Sequence, residues 1–380
     1  MTSLVPRQRL VIIYGPLLHY RIDLFNALCD RYDVTVFTTG FSGPHQGLRF
    51  EVVVVEPLRI GPFSMQRGLR ALLRQGHFDV CISFVDVAHL DSLAAVFLPV
   101  AKRTFCWGVW LTDTGVANSL RLAAIKRCEA ALFYSHKHLE EVGARGVDPR
   151  KLFVAQNTVA VANAVPHAEI QKRDSVLFVG SLAARKGLDR LVRLFASIVP
   201  SLPIQTKLVI VGDGPERTAL QALVTSLGIL DRVEMPGRIN NPEALAAFYA
   251  RALVSVSLSQ AGLSVLQSMG FGVPFLTLKG SVSGGETLNI THGENGFIVA
   301  DDDEEVAKVL IGCASDPDRQ AAMGAAAREH YQQYATVENY AQGFFDMLEG
   351  TRIARIWKGQ SISESEIIAK HATKASKAWV

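Results

Sequence analysis

Lysine followed by glycine at the start of a helix is a pairing that can grip phosphate, and SVLFVGSLAARKGLDR, residues 175–190, contains one. An apolar run ends at Gly180, a short loop through Ser181 follows, and Lys186-Gly187 open an amphipathic stretch. An ammonium beside the unpaired N–H groups of a helix start suits a diphosphate, which lysine meets as a point charge. A lysine on a solvated surface fits the same letters. In VIVGDGPERTAL, Gly212-Asp213-Gly214-Pro215 lies between a strand and a helix; the glycines permit a tight turn and the proline suits a first helical turn. In MPGRI, Gly237 either lets a flat base lie against the backbone or is a plain turn. The stretch SLSQAGLSVLQSMGFGVP, residues 257–274, has the form of a ligand loop at a helix start, yet no residue in it is charged. Near the N-terminus, YGPLLHYR places Gly15, His19 and Arg21 between a strand and its helix. There the histidine can position a hydroxyl and the arginine can meet an anion, or both lie on an ordinary solvent face. Asp113, after the Trp-rich CWGVWLTDTG, and Asp86, at the end of DVCISF, are carboxylates able to orient or deprotonate a hydroxyl.

The elements that must position these residues alternate along the chain. Short β-rich runs (RLVIIYG, DVTVFTT, EVVVVE, DVCISF, TFCWGVW, AALFYS, KLFVAQ) are separated by stretches with helical spacing, such as HYRIDLFNALCDR, MQRGLRALLRQG and NSLRLAAIKRCE. After a polar stretch, NAVPHAEIQKRD, the alternation resumes with SVLFVGS, TKLVIVGDG, RVEMPG, LVSVSLS, PFLTL and GFIV, and a helical tail follows. Alternation of this kind indicates parallel βαβ units. At 380 residues, two domains are expected: 1–160, a linker over 161–174, 175–345, and a helical tail over 346–380 that packs back on the first domain. Two Rossmann-like domains with strand C-termini pointing into a cleft are the predicted architecture.

Bulk properties narrow the classes. Hydrophobic residues make up 49% of the chain, which excludes a disordered protein. No uninterrupted apolar run reaches the roughly 18–20 residues that span a bilayer. The five cysteines stand singly, with no CxxC pair and no metal-ligand spacing, as befits small hydrophobes in a reducing cytosol. Net charge is +3, with 18 Lys and Arg against 13 Asp and Glu in residues 1–160. That surplus belongs either to solvated helix faces or to a surface that rests on anionic lipid, with FSMQRGLRALLRQG and NSLRLAAIKR as the candidate contacts.

The order of the pieces is more specific than any one of them. The succession VGSL, RKG, LVIVGDGPE, LGI, DRVEMPGRI, LAAFYARA, VSLS, GLSVLQSMGFGVP, GG and HGENGFIV resembles the C-terminal nucleotide-binding domain of family-four, GT-B-fold retaining glycosyltransferases, closely over residues 170–345. The likeness extends weakly into 1–160, where such enzymes bind acceptor. It implies a phosphate loop at Gly180, Ser181, Lys186 and Gly187, with Ser181 replacing the usual arginine. The paired glutamates of the family fall on Ser259 and Gln267, with Gly262-Leu263 retained between them. The second of the pair holds the donor ribose, and the first sits near the transferred sugar. Gly284-Gly285 matches the family's glycine pair; Leu288 stands where an acidic residue is usual, and Glu286 follows the pair directly. The usual N-terminal histidine is absent from CWGVWLTDTG.

The implied activity is transfer of a hexose from a nucleotide diphosphate sugar to a saccharide or lipid-linked saccharide, with retention, in bacterial surface-glycan synthesis. Donor contacts fall to Gly15, Ser181, Lys186, Gly212, Gly237, Ser259, Gly262, Leu263 and Gln267. Acceptor contacts fall to His19, Arg21 and Asp113, and catalysis to Lys186, His19, Asp113 and Glu286; the serine at 259 implies either a different transferred sugar or that Glu286 reaches in instead. No metal, cofactor or nucleic acid is expected, and the location implied is cytoplasmic, at the inner face of the membrane. Two alternatives remain open: a sugar-nucleotide-binding partner that has lost catalysis, and a sugar-nucleotide epimerase of the same fold.

Overall fold

In the computed structural model, which describes residues 7–41, 43, 45–108, 111–112, 114–161, 173–239 and 241–359, the chain forms two compact units. The first comprises residues 7–157 together with Thr336–Lys358, and the second Thr158–Ala335.

The first unit is a parallel sheet of seven strands among the described residues, in the order β3-β2-β1-β6-β7-β8-β9. These are β1 (Arg9–Tyr14), β2 (Asp33–Thr38), β3 (Glu51–Val54), β6 (Val80–Phe84), β7 (Arg103–Trp107), β8 (Ala131–Phe133) and β9 (Leu152–Val154). The central β1, RLVIIY, is a near-continuous apolar run because both of its faces are covered. Helices α1 (Ile22–Leu28), α2 (Leu69–Gln75), α3 (Leu90–Phe97), α4 (Gly115–Arg127) and α5 (His136–Gly143) cross between the strands. One element departs from the expected alternation. The stretch expected to be helical from Met65 begins as strand, because β4 (Pro57–Ile60) and β5 (Phe63–Gln66) pair antiparallel as a hairpin and the helix starts only at Leu69. Gly61-Pro62 makes the turn, with Gly61 in the left-handed region.

The second unit holds six parallel strands among the described residues, in the order β12-β11-β10-β13-β14-β15. They are β10 (Ser175–Val179), β11 (Lys207–Val211), β12 (Val233–Gly237), β13 (Ala252–Val256), β14 (Phe275–Leu278) and β15 (Gly296–Val299). Helices α6 (Leu188–Ile198), α7 (Arg217–Ser226), α8 (Pro242–Ala250), α9 (Ser264–Gly270), α10 (Asp303–Ser315) and α11 (Pro317–Tyr334) cover them. In α6, Leu188, Leu191, Val192, Leu194, Phe195 and Ile198 face the core, while the arginines between them stay outside it.

Helix α12 (Val337–Glu349) returns to the first unit. Its start is capped by Thr336, whose hydroxyl accepts from the Asn339 N–H at 3.2 Å. Tyr340, Phe344, Phe345 and Leu348 are buried among Leu10, Ile12, Trp107 and Leu132. Gly343 lets the helix lie close on β9, since a Cβ there would press on Ala155. The boundary expected at 346 therefore falls inside a helix, and the return comes earlier, at Thr336.

Candidate functional site

Both sheets reverse strand order at one point, between β1 and β6 in the first unit and between β10 and β13 in the second. Ligands of open α/β sheets bind beyond the strand C-termini at such points. In each unit, most of the candidate residues lie on the two loops that leave these central strands.

In the second unit the loop after β10 runs through Gly180 and Ser181 to a single 3₁₀ turn, Ala184–Lys186, closed by Gly187 with φ +60. The loop after β13 carries Ser257 to Gly262. The two loops touch: Lys186 Nζ donates to the Gln260 carbonyl at 3.3 Å, Arg185 bonds the Gln260 side chain, and Ser257 Oγ donates to the same carbonyl at 2.8 Å. A Cβ on Gly187 would collide with Ser259 Oγ, so glycine at 187 and a short side chain at 259 fit each other. Burial and then the neighbouring Arg185 push the Lys186 ammonium below the usual lysine range, while Glu286 pulls it back. The result is a half-buried cation with one long hydrogen bond among the described residues, available to an anion.

Gln267 lies on α9, and its Oε1 accepts from the buried Tyr249 hydroxyl at 3.2 Å. That leaves one lone pair and the amide N–H₂ for a second partner. Gly262 and Leu263 precede the first hydrogen bonds of α9, where N–H groups lack intrahelical acceptors. The Glu286 carboxylate folds into its own loop, with Oε2 accepting from Ser283 Oγ at 2.9 Å and from Gly284 N–H at 2.8 Å, and it is buried. Beyond it, Asn289 donates to the Glu286 carbonyl and bonds His330 Nε2 at 2.9 Å. Glu286 thus holds the Gly284-Gly285 loop and supplies a field at Lys186.

The G-x-G at 212–214 is explained by packing. Gly212 has φ +149, and its N–H bonds the Gly237 carbonyl at 2.8 Å; a Cβ would strike the Gly180 carbonyl. Gly180, Gly212 and Gly237 are in this way laced into one backbone layer at the strand ends.

In the first unit, Gly15 directly follows β1 and is buried. His19 is exposed, in the 3₁₀ turn His19–Arg21 that precedes α1. Arg21 belongs neither to an acceptor site nor to a solvent face: it is buried, with Nε on the Tyr14 hydroxyl at 3.1 Å, Nη1 on Asn157 at 2.8 Å and Tyr340 at 2.9 Å, and Nη2 on Tyr134 at 3.1 Å. Its guanidinium also lies over the Trp107 ring at 5.2 Å. Asp86 caps its own loop by accepting from Ala88 N–H at 2.9 Å. Asp113 lies outside the described residues. The residue that sequence reasoning missed is His89, just before α3. Its Cε1 stands 3.4 Å from where a Cβ on Gly15 would be, in a pocket shared with Tyr14, Gln66, Asp91 and Ser92. Its signal is topological: the Gly15 and His89 loops leave the two strands at the switch point. Among the described residues, no group of three or more His, Cys, Asp or Glu is placed to hold a metal ion.

Residues 163–330 match the family model described as Glycosyl transferases group 1. N-acetyl-alpha-D-glucosaminyl L-malate synthase of Bacillus anthracis is 31% identical over 186 residues, 48% of this chain and 48% of that protein. GDP-mannose-dependent alpha-(1-6)-phosphatidylinositol monomannoside mannosyltransferase of Mycobacterium tuberculosis is 31% identical over 196 residues, 48% of this chain and 49% of that protein. The chain thus spans about half the length of the curated relatives it matches. Among solved structures, HepE of Anabaena in complex with UDP superposes with a TM-score of 0.68 at 18% identity, covering 90% of this chain and 99% of that one. Sucrose-phosphate synthase from Thermosynechococcus elongatus gives 0.70 at 18%, covering 90% and 98%. The fold is GT-B. The expected fold class is observed, and the second unit is the part that resembles group 1 glycosyl transferases. No helix among the described residues is long and apolar enough to cross a membrane.

Proposed function

We propose that the chain transfers a hexose from a nucleotide diphosphate sugar to a saccharide or lipid-linked saccharide, with retention of anomeric configuration. The supporting observation is the half-buried Lys186, held against the Gln260 carbonyl where the β10 and β13 loops meet. In the reaction the bond from the anomeric carbon to the phosphate oxygen breaks, and the acceptor oxygen bonds that carbon on the same face. The acceptor proton passes to the departing diphosphate. The protein's share is to stabilise charge growing on that diphosphate, through Lys186 and the N–H groups of Ser181 and Gly262. This route asks for no carboxylate beside the sugar, which suits Ser259 and the inward-folded Glu286. Gln267 takes the donor ribose, accepting from one hydroxyl and donating to the other. The Gly15 and His89 pocket, with His19 nearby in sequence, takes the acceptor.

The neighbours' complexes with UDP and UDP-glucose make a uridine diphosphate hexose the first donor to try. Incubation with UDP-, GDP-, ADP- and TDP-hexoses, followed by proton NMR of the product, tests the reading. Acceptor-dependent release of the nucleoside diphosphate and a product anomer matching the donor are expected. No release from any donor, or an inverted product, contradicts it.

A further inference from the structure

The phenol of Tyr249 decides what Gln267 offers a ligand. Tyr249 lies on α8 and is fully buried, its ring stacked on Phe271 with centroids 4.6 Å apart and planes 18° from parallel. A buried O–H needs an acceptor, and the Tyr249 hydroxyl finds it in Gln267 Oε1 at 3.2 Å. Turning the amide over would set its N–H₂ against that hydroxyl and take the acceptor from the phenol proton. The carbonyl is therefore held inward. The N–H₂, on the other branch of the planar amide, is the group that the half-buried side chain leaves for a ligand. No residue between Ser257 and Pro274 is charged, so this stretch supplies no carboxylate beside the amide.

We propose that this arrangement opens the donor site to 2′-deoxyribonucleoside diphosphate sugars, with Gln267 setting the tolerance and Tyr249 positioning Gln267. The inference rests on the donor reading of Gln267 given above and names a class of nucleotide for it. A carboxylate at 267 would take both ribose protons in charge-assisted bonds, and a 2′-deoxy sugar would leave that charge half-matched. Sites built that way reject the analogue lacking the hydroxyl, because a polar group of the site is left unpaired. The amide loses far less. With its carbonyl satisfied by Tyr249, it needs one oxygen for an N–H, and the 3′-hydroxyl of a 2′-deoxyribose supplies that oxygen. The missing 2′-hydroxyl then costs one neutral bond, which water replaces at a half-buried side chain.

Isothermal titration calorimetry of the full chain with UDP against 2′-deoxy-UDP, and with GDP and ADP against their 2′-deoxy forms, reads the preference without turnover. The parent protein is expected to bind the ribo and deoxy forms of its base within about tenfold of each other. Gln267→Glu is expected to raise that ratio about tenfold or more. Tyr249→Phe, which frees the carbonyl to turn outward, is expected to raise it about threefold. A tyrosine with only a structural role would shift both affinities together and leave the ratio alone. A parent ratio well above tenfold, or a ratio that Gln267→Glu leaves unchanged, overturns the proposal. An unchanged ratio in Tyr249→Phe overturns the role of Tyr249. Failure of every nucleotide to bind overturns the donor reading itself, a result distinct from binding with a strong ribose preference.

Discussion

Ser259 and Gly187 explain each other. The serine hydroxyl occupies the space that a Cβ at 187 would need, so a longer side chain at 259 must turn away from the Lys186 loop. The loss of a carboxylate at 259 is thus accommodated by the local packing, while Glu286 bonds Ser283 and Gly284 in its own loop. Lys186 was legible in the sequence because its partners are local: a strand end, a glycine and a helix start. Arg21 was not, because its partners Asn157 and Tyr340 lie 136 and 319 residues away. Its role is to stabilise the first unit, with one guanidinium satisfying three tyrosine hydroxyls and an amide. Arg21→Ala removes four donated bonds from these buried groups, and hydrogen bonds to charged groups are worth about 1.5–3 kcal/mol each. A loss of about 3 kcal/mol or more in urea unfolding is expected, with donor affinity of the folded protein unchanged. A variant as stable as the parent but weaker for acceptor would return Arg21 to the binding site.

Strands buried on both faces announce themselves as apolar runs, and all thirteen expected strands form in the two parallel sheets. The hairpin at 57–66 escaped because its apolar residues alternate over only four positions per strand and merge with the helical letters that follow. Helix α3 likewise merged with the apolar run toward β7, and His89 at its start went unread with it. On α11, His330 braces the Glu286 loop through Asn289, and burial pushes its imidazole down to about 4 from the ordinary 6.5. Above pH 6.5 the ring is neutral in both folded and unfolded chains, so it has no effect on the pH dependence. As pH falls below 6.5, the unfolded chain takes up a proton that the folded chain refuses. Stability then drops by up to about 1.4 kcal/mol per pH unit until about pH 4. His330→Gln, which keeps a donor toward Asn289, should remove this contribution from the pH profile of urea unfolding. Parallel profiles for the two proteins would contradict the assignment.

The molecule uses one topological device twice: two doubly wound sheets, each with its candidate residues on the loops at the strand-order reversal. That plan was readable from the alternation of runs. The crossing back at Thr336 was not, because α12 looks like any amphipathic helix until Phe344 is seen against Trp107, ring centroids 4.9 Å apart. Two units of this size predict separable unfolding transitions, and a ligand held by Lys186 must act on the transition of the second. Scanning calorimetry of the full chain with nucleotide diphosphate sugars is the direct measurement. At 100 times its dissociation constant a donor adds about 2.7 kcal/mol, which raises the transition of the second unit by roughly 5–10 °C. The account predicts that rise for at least one donor and its loss in Lys186→Ala. An equal rise in Lys186→Ala, or none with any donor, would contradict it.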